Sequence, residues 1–196
     1  MYEPFPEARP RGLRRRSLPQ GSVFWRIDAQ PPGEWSWDGF PTPRNRFDPE
    51  LGAFRVRYAA MTPSGAARER YLATGRYIPP DHASNQLVRL ELTRSARVLD
   101  LRTEANLDAL GVDDRISTSR EVDVLRACHR LSAAARMWWP DLDGLLYRSR
   151  TTPETSANLA FFSLVAMGAA GHPLRSCVAE LDELVLLHGF TVGFSY

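Results

Sequence analysis

Polar and apolar positions along this 196-residue chain follow two periods, and the switches between them mark its elements. Residues 22–27, Ser-Val-Phe-Trp-Arg-Ile, are a β-rich run ending at the breaker-rich stretch 30–33, which predicts a first strand. Further strands are predicted over 52–60, 86–92, 97–101 and 142–147, with a closing strand over 190–196. Thr62-Pro63-Ser64-Gly65 reads as a helix entry, with proline at the first helical position and Glu69 in the first two turns. A short helix is predicted over 103–110. A longer one over 122–139 carries Val122, Leu125, Ala133 and Met137 at near-helical spacing and stops at Pro140. Residues 153–167 read as another helix, with Leu159, Phe162 and Ala166 on one apolar face and Val165 at its edge. Strands mixed with helices, without strict βαβ alternation, predict an α+β fold of mixed twisted sheets with flanking helices.

Residues 21–196 are enough for one compact domain. Residues 1–20 place five arginines (9, 11, 14, 15 and 16) among four prolines, a composition expected of an extended or mobile arm. That segment has no apolar core of a secretory signal, and the most apolar stretch, 157–170, is too short to span a bilayer, so a cytoplasmic protein without membrane association is expected. Trp35, Trp37 and Phe40 crowd a Gly/Pro-punctuated loop, where they either wall a pocket or anchor the loop on the core. The apolar residues 184–187 serve the core or a dimer contact.

Composition adds chemistry. The net charge of +2 is too small to mark a polyanion partner, and nucleic acid is not expected, although the arginine arm keeps such a module as a third reading. All 25 basic residues are arginines. Their planar forks suit bidentate grip on phosphate or carboxylate, though a GC-rich genome gives the same bias. Cys128 and Cys177 lack zinc-site spacing and read as buried, reduced thiols, and the four histidines share no ligand spacing, so no metal is expected.

Three polar residues sit in patterned segments: Arg46 in Asn45-Arg46-Phe47-Asp48-Pro49, Glu69 after the Thr-Pro-Ser-Gly-Ala-Ala helix start, and Ser149 in Leu146-Tyr147-Arg148-Ser149. Local sequence leaves other readings open. Arg46 could pair with Asp48 or Glu50, Glu69 with Arg68 or Arg70, Ser149 could cap a turn, and Tyr58 could pack in the core. With Trp25-Arg26-Ile27 and Tyr58-Ala59-Ala60, these segments resemble, in order and over residues 22–165, the RES domain family, named for its arginine, glutamate and serine. Two departures stand out: Asn45 occupies a position where glycine is usual, and the segment after Ser149 lacks the common glycine-rich turn.

The resemblance implies a fold like that of ADP-ribosyltransferase toxins, an active site that consumes NAD, and commonly a place as toxin beside a helix-turn-helix antitoxin. It assigns the catalytic site to Glu69, Arg46 and Ser149, and substrate binding to Arg46, Tyr58 and Ser149. Breaking the nicotinamide–ribose bond develops positive charge on the ribose, which a carboxylate such as Glu69 stabilises. Arg46 would hold phosphates or an adjoining ribose, Ser149 would orient Glu69, and Tyr58 would offer a flat face to nicotinamide and a hydroxyl handle. No Ser-His-Asp arrangement makes Ser149 a nucleophile, and no Gly-x-Gly-x-x-Gly or phosphate-loop pattern is present, so NAD is expected as substrate, cleaved by hydrolysis, phosphorolysis or ADP-ribosyl transfer. Asn158 is not assigned to the site. The competing class is a catalytically silent nucleotide- or antitoxin-binding module on the same fold.

Overall fold

The computed structural model describes residues 4–151, 157–162 and 165–196. Its elements run β1 (Arg15–Leu18), β2 (Val23–Asp28), β3 (Val56–Ala60), α1 (Pro63–Tyr71), β4 (Tyr77–Ile78), β5 (Gln86–Leu92), β6 (Ala96–Asp100), α2 (Glu104–Leu110), α3 (Arg115–Thr118), α4 (Val122–Trp138), β7 (Gly144–Arg148), β8 (Ala157–Phe162), β9 (Met167–Pro173), α5 (Val178–His188) and β10 (Thr191–Val192). Among the described residues eight strands form one mixed sheet in the order β1-β6-β7-β8-β3-β2-β5-β9, and β10 pairs parallel with β4 in a second. Within the large sheet only β6 and β7 pair in parallel. The fold is α+β, with helices flanking a mixed sheet. No described helix is long and apolar enough to cross a membrane.

The predicted helix over 153–167 is not a helix where it is described: residues 165–166 are irregular and Met167 opens β9. Residues 157–162 form β8, between β7 and β3; residues 152–156 and 163–164, which the predicted helix also spans in part, lie outside the described residues. All six β8 residues are buried, because a central strand covered on both faces needs apolar residues throughout. Leu159 and Phe161 enter one core cluster and Ala160 and Phe162 another, so their side chains alternate although their polarity does not. The packing of β7 on β8 is tight. A Cβ at Gly144 would lie 2.4 Å from the Ala160 carbonyl oxygen, which only glycine avoids.

In the Arg/Pro-rich N-terminal segment Leu13 is buried in the core and residues 15–18 pair with β6. Arg15 and Arg16 reach Asp141 and Asp100, and the Arg14 amide donates to Asn106. At the other end, the predicted strand 190–196 is paired only over Thr191–Val192. Of the apolar residues 184–187, Leu184 is buried, whereas Leu186 and Leu187 are exposed on α5.

α1 forms where its entry motif predicts. The Thr62 hydroxyl accepts from the Gly65 amide at 3.0 Å, Pro63 needs no amide partner, and the following turn closes at Gly75 with φ 70°. The helix follows directly from β3 and carries Glu69 beside the sheet.

Candidate active site

A row of side chains crosses four strands on one face of the sheet. Register sets Trp25 of β2 beside Ala60 of β3, Ala60 beside Asn158 of β8, and Asn158 beside Tyr147 of β7. Tyr58 lies two residues from Ala60 on the same face. All five line a cleft of about 770 Å³, whose walls carry Glu69 and Arg46.

Glu69 is exposed, yet its carboxylate is fixed. Its Oε1 accepts from Ser149 Oγ at 2.7 Å, Thr151 Oγ1 at 2.6 Å and Asn158 Nδ2 at 2.7 Å. The donors are buried and come from β8 and the end of β7, so the sheet holds a helix side chain in one orientation. Ser149 also accepts from the Thr151 amide at 3.2 Å, which locks the turn. Glu69 pairs with neither Arg68 nor Arg70: Arg68 donates to the Thr151 carbonyl and contacts His188.

Arg46 sits in a loop organised by Asp48. The Asp48 carboxylate accepts from the Arg44 and Asn45 amides, the Asn45 side chain and the Tyr58 hydroxyl. Asp48 is therefore occupied, and among the described residues Arg46 forms no ion pair. Its guanidinium donates to the carbonyls of Ile116 at 3.1 Å and Ser119 at 2.7 Å, which ties the loop to α3 and its C-terminal cap. The Tyr58 hydroxyl is committed to this loop, accepting from the Phe47 amide at 2.8 Å while donating to Asp48 at 3.0 Å. Burial and Asp48 push its pKa well up, so it stays a donor, and the ring face is what Tyr58 offers the cleft. Burial, and after it the charge of Glu69, likewise keeps the Tyr147 phenol protonated.

The cleft is strongly electropositive. Eight arginines line it against two carboxylates, Asp28 and Glu69, a formal balance of +6 that favours an anionic ligand. Phe40 lines the cleft, with Arg44 and Arg55 over its ring at 4.3 and 3.6 Å. Trp35 and Trp37 instead anchor their loop, packing on the core while Arg57 stacks on both. Among the described residues no group of three His, Cys, Asp or Glu side chains is arranged to hold a metal.

The family model of the RES domain matches residues 23–182, four-fifths of the chain. The chain belongs to the RES domain family. No curated protein matches it. Its fold is similar to that of a chain in the crystal structure of the Mycobacterium tuberculosis MbcT–MbcA toxin–antitoxin complex, with a TM-score of 0.57 at 14% identity, covering 85% of this chain and 90% of that one.

In this RES domain Glu69 and Ser149 come together directly, and Arg46 and Tyr58 line the same cleft. Sequence reasoning left out Asn158 and missed Thr151, Tyr147 and the Asp28 cluster. The signal for Asn158 was an isolated amide in an otherwise apolar six-residue run; a strand reading of that run would have set it opposite Tyr147.

Cys128, fully buried in α4, lies 3.8 Å from the Arg46 guanidinium and donates to the Ile116 carbonyl. Burial pushes its thiol up to about 11 from 9.0, with Arg46 opposing the shift. As pH rises, the unfolded chain releases this proton first. The stabilisation is therefore complete below about pH 9 and is lost between about 9 and 11, by roughly 2–3 kcal/mol. Cys128→Ala is expected to flatten the fall of urea midpoints across that window; an unchanged slope would reject the thiol as its source.

Proposed function

We propose that this RES domain binds NAD in the arginine-lined cleft and cleaves the bond between nicotinamide and ribose. The observation that carries the reading is the Glu69 carboxylate, held by three donors on Oε1 beside a surplus of guanidiniums. RES-domain toxins act on NAD, and the membership of this chain supports the same substrate class.

In the proposed reaction the C1′–N bond breaks, its electron pair leaves with nicotinamide, and positive charge develops on the ribose. Glu69 stabilises that charge, because its orientation is set before the reaction and no reorganisation is required. Ser149, Thr151 and Asn158 act as positioning residues. Arg46 neutralises the pyrophosphate as a fork bonded to two carbonyls on its protein side. The Tyr58 ring receives the nicotinamide face. Water as acceptor yields free ADP-ribose, phosphate yields the 1″-phosphate, and a protein side chain retains the ADP-ribose. An enzyme that depletes NAD in its host requires restraint. We propose that the restraint is a helix-turn-helix antitoxin that covers the cleft, and the likeness to a chain of a toxin–antitoxin complex supports it.

The test is incubation of the purified chain with NAD while nicotinamide and the ADP-ribosyl product are quantified by chromatography. The expected result is stoichiometric release of nicotinamide, and Arg46→Ala should raise KM about tenfold or more through loss of a charge-assisted contact. NAD that binds but stays intact would establish the silent binding module instead.

A further inference from the structure

Six of the eight cleft guanidiniums fall into two groups, Arg44 and Arg70 lying outside both, and the pyrophosphate of a dinucleotide accounts for one group. Arg46, Arg120 and Glu69 each act electrostatically on Arg150, and all four line the cleft. This group carries a formal +2, which the two charges of a pyrophosphate match. Arg26, Arg55 and Arg57 form the second group around the single carboxylate of Asp28, again with a formal +2. Arg26 and Arg57 share that carboxylate at 2.5 and 3.5 Å.

The second group has the donor chemistry of an anion site. The Arg57 side chain is 5% exposed, and its Nε–H, like that of Arg26, is buried without a hydrogen-bond acceptor among the described residues. Those two Nε–H groups are sealed inside the protein and Tyr58, Asp28 and Ser36 engage the outer nitrogens of Arg26 and Arg57, so what this wall presents to a ligand is its formal +2 charge and the Arg55 guanidinium. The guanidinium planes are fixed in advance. Arg57 stacks 4.2 Å over Trp35 and donates to the Ser36 carbonyl, and Arg55 stacks 3.6 Å over Phe40. Preset guanidinium forks suit the several oxygens of a phosphate monoester.

We propose that Arg26, Arg55 and Arg57 form a second anion site that takes a phosphate monoester, so that the cleft accepts the 2′-phosphorylated dinucleotide NADP in preference to NAD. The proposal rests on the cleft being a dinucleotide site. The extra phosphate brings about two negative charges, which the second group balances.

The experiment compares kcat/KM for nicotinamide release from NADP and NAD at equal ionic strength, in the wild type, Arg55→Gln and Arg150→Gln. The wild type should favour NADP by about tenfold, the effect of one added charge-assisted hydrogen bond. Arg55→Gln should bring the ratio near one, whereas Arg150→Gln should weaken both substrates and keep the ratio. A wild-type ratio near one overturns the proposal. So does an equal loss of ratio in Arg150→Gln, which would mean a diffuse field. Calorimetry with ADP-ribose and its 2′-phosphate separates this claim from catalysis: tighter binding of the 2′-phosphate, lost in Arg55→Gln, supports the second site even if neither dinucleotide is cleaved. Free inorganic phosphate provides the last arm. If it accelerates NAD cleavage and Arg55→Gln removes that acceleration, the site belongs to the free ion and the proposal fails.

Discussion

Glu69→Gln is expected to lower kcat for nicotinamide release by about three orders of magnitude while leaving the thermal midpoint within a few degrees of the wild type. Glutamine keeps the volume and an Oε1 that Ser149, Thr151 and Asn158 can still reach, so the local geometry survives and the charge alone is lost. Glu69 is exposed and makes no ion pair among the described residues, so its removal leaves no buried cation behind. A preorganised charge facing the developing ribose cation contributes to the transition state, and a thousandfold loss corresponds to about 4 kcal/mol of barrier. Steady-state kinetics checks this, with KM expected to change much less than kcat. A variant retaining a tenth or more of the wild-type rate would remove Glu69 from the chemistry.

The largest effect on stability is expected from Asp28→Ala. Asp28 is the carboxylate shared by Arg26 and Arg57, whose side chains are 17% and 5% exposed. Burial lowers the pKa of both guanidiniums, that of Arg57 to about 10, which marks the cost of holding them away from water. Without Asp28 two neighbouring cations face each other uncompensated. Removing one partner of a buried ion pair costs about 3–5 kcal/mol, which for a domain of this size lowers the thermal midpoint by roughly 10 °C or more. Thermal unfolding followed by circular dichroism measures it. A drop under about 2 °C would show that the cluster is solvated and that Asp28 is dispensable.

Local chemistry made some elements legible. The Thr62–Pro63 entry predicted α1, and the alternation over 86–92 predicted β5, because a cap and a period are written within a few residues. β8 was not legible as a strand: its burial on both faces erases the alternation, and a short apolar run is compatible with either element. β9, Met-Gly-Ala-Ala-Gly-His-Pro, has little strand preference of its own and is an edge strand held by its full-length pairing with β5. At the site, the order of segments around Arg46, Glu69 and Ser149 identified the family. The partners that fix Glu69 depend on strand register, so Asn158 went unassigned with its misread segment. Local readings failed where a competing partner was better placed: Asp48 binds its own loop and Tyr58 instead of Arg46, which leaves Tyr58 a ring face without a free hydroxyl. The Asp28 cluster joins residues from β2 and β3 that no local pattern links.

The central claim is that Arg46, Glu69 and Ser149 serve one dinucleotide cleft. Crystals of the Glu69→Gln protein grown with NAD test it most directly, since this variant should bind substrate without consuming it. The account predicts intact NAD with its pyrophosphate on the Arg46 guanidinium, its nicotinamide ribose against residue 69 and its nicotinamide ring on Tyr58. NAD bound on another face of the protein, or in the cleft with its ribose directed away from residue 69, would contradict it.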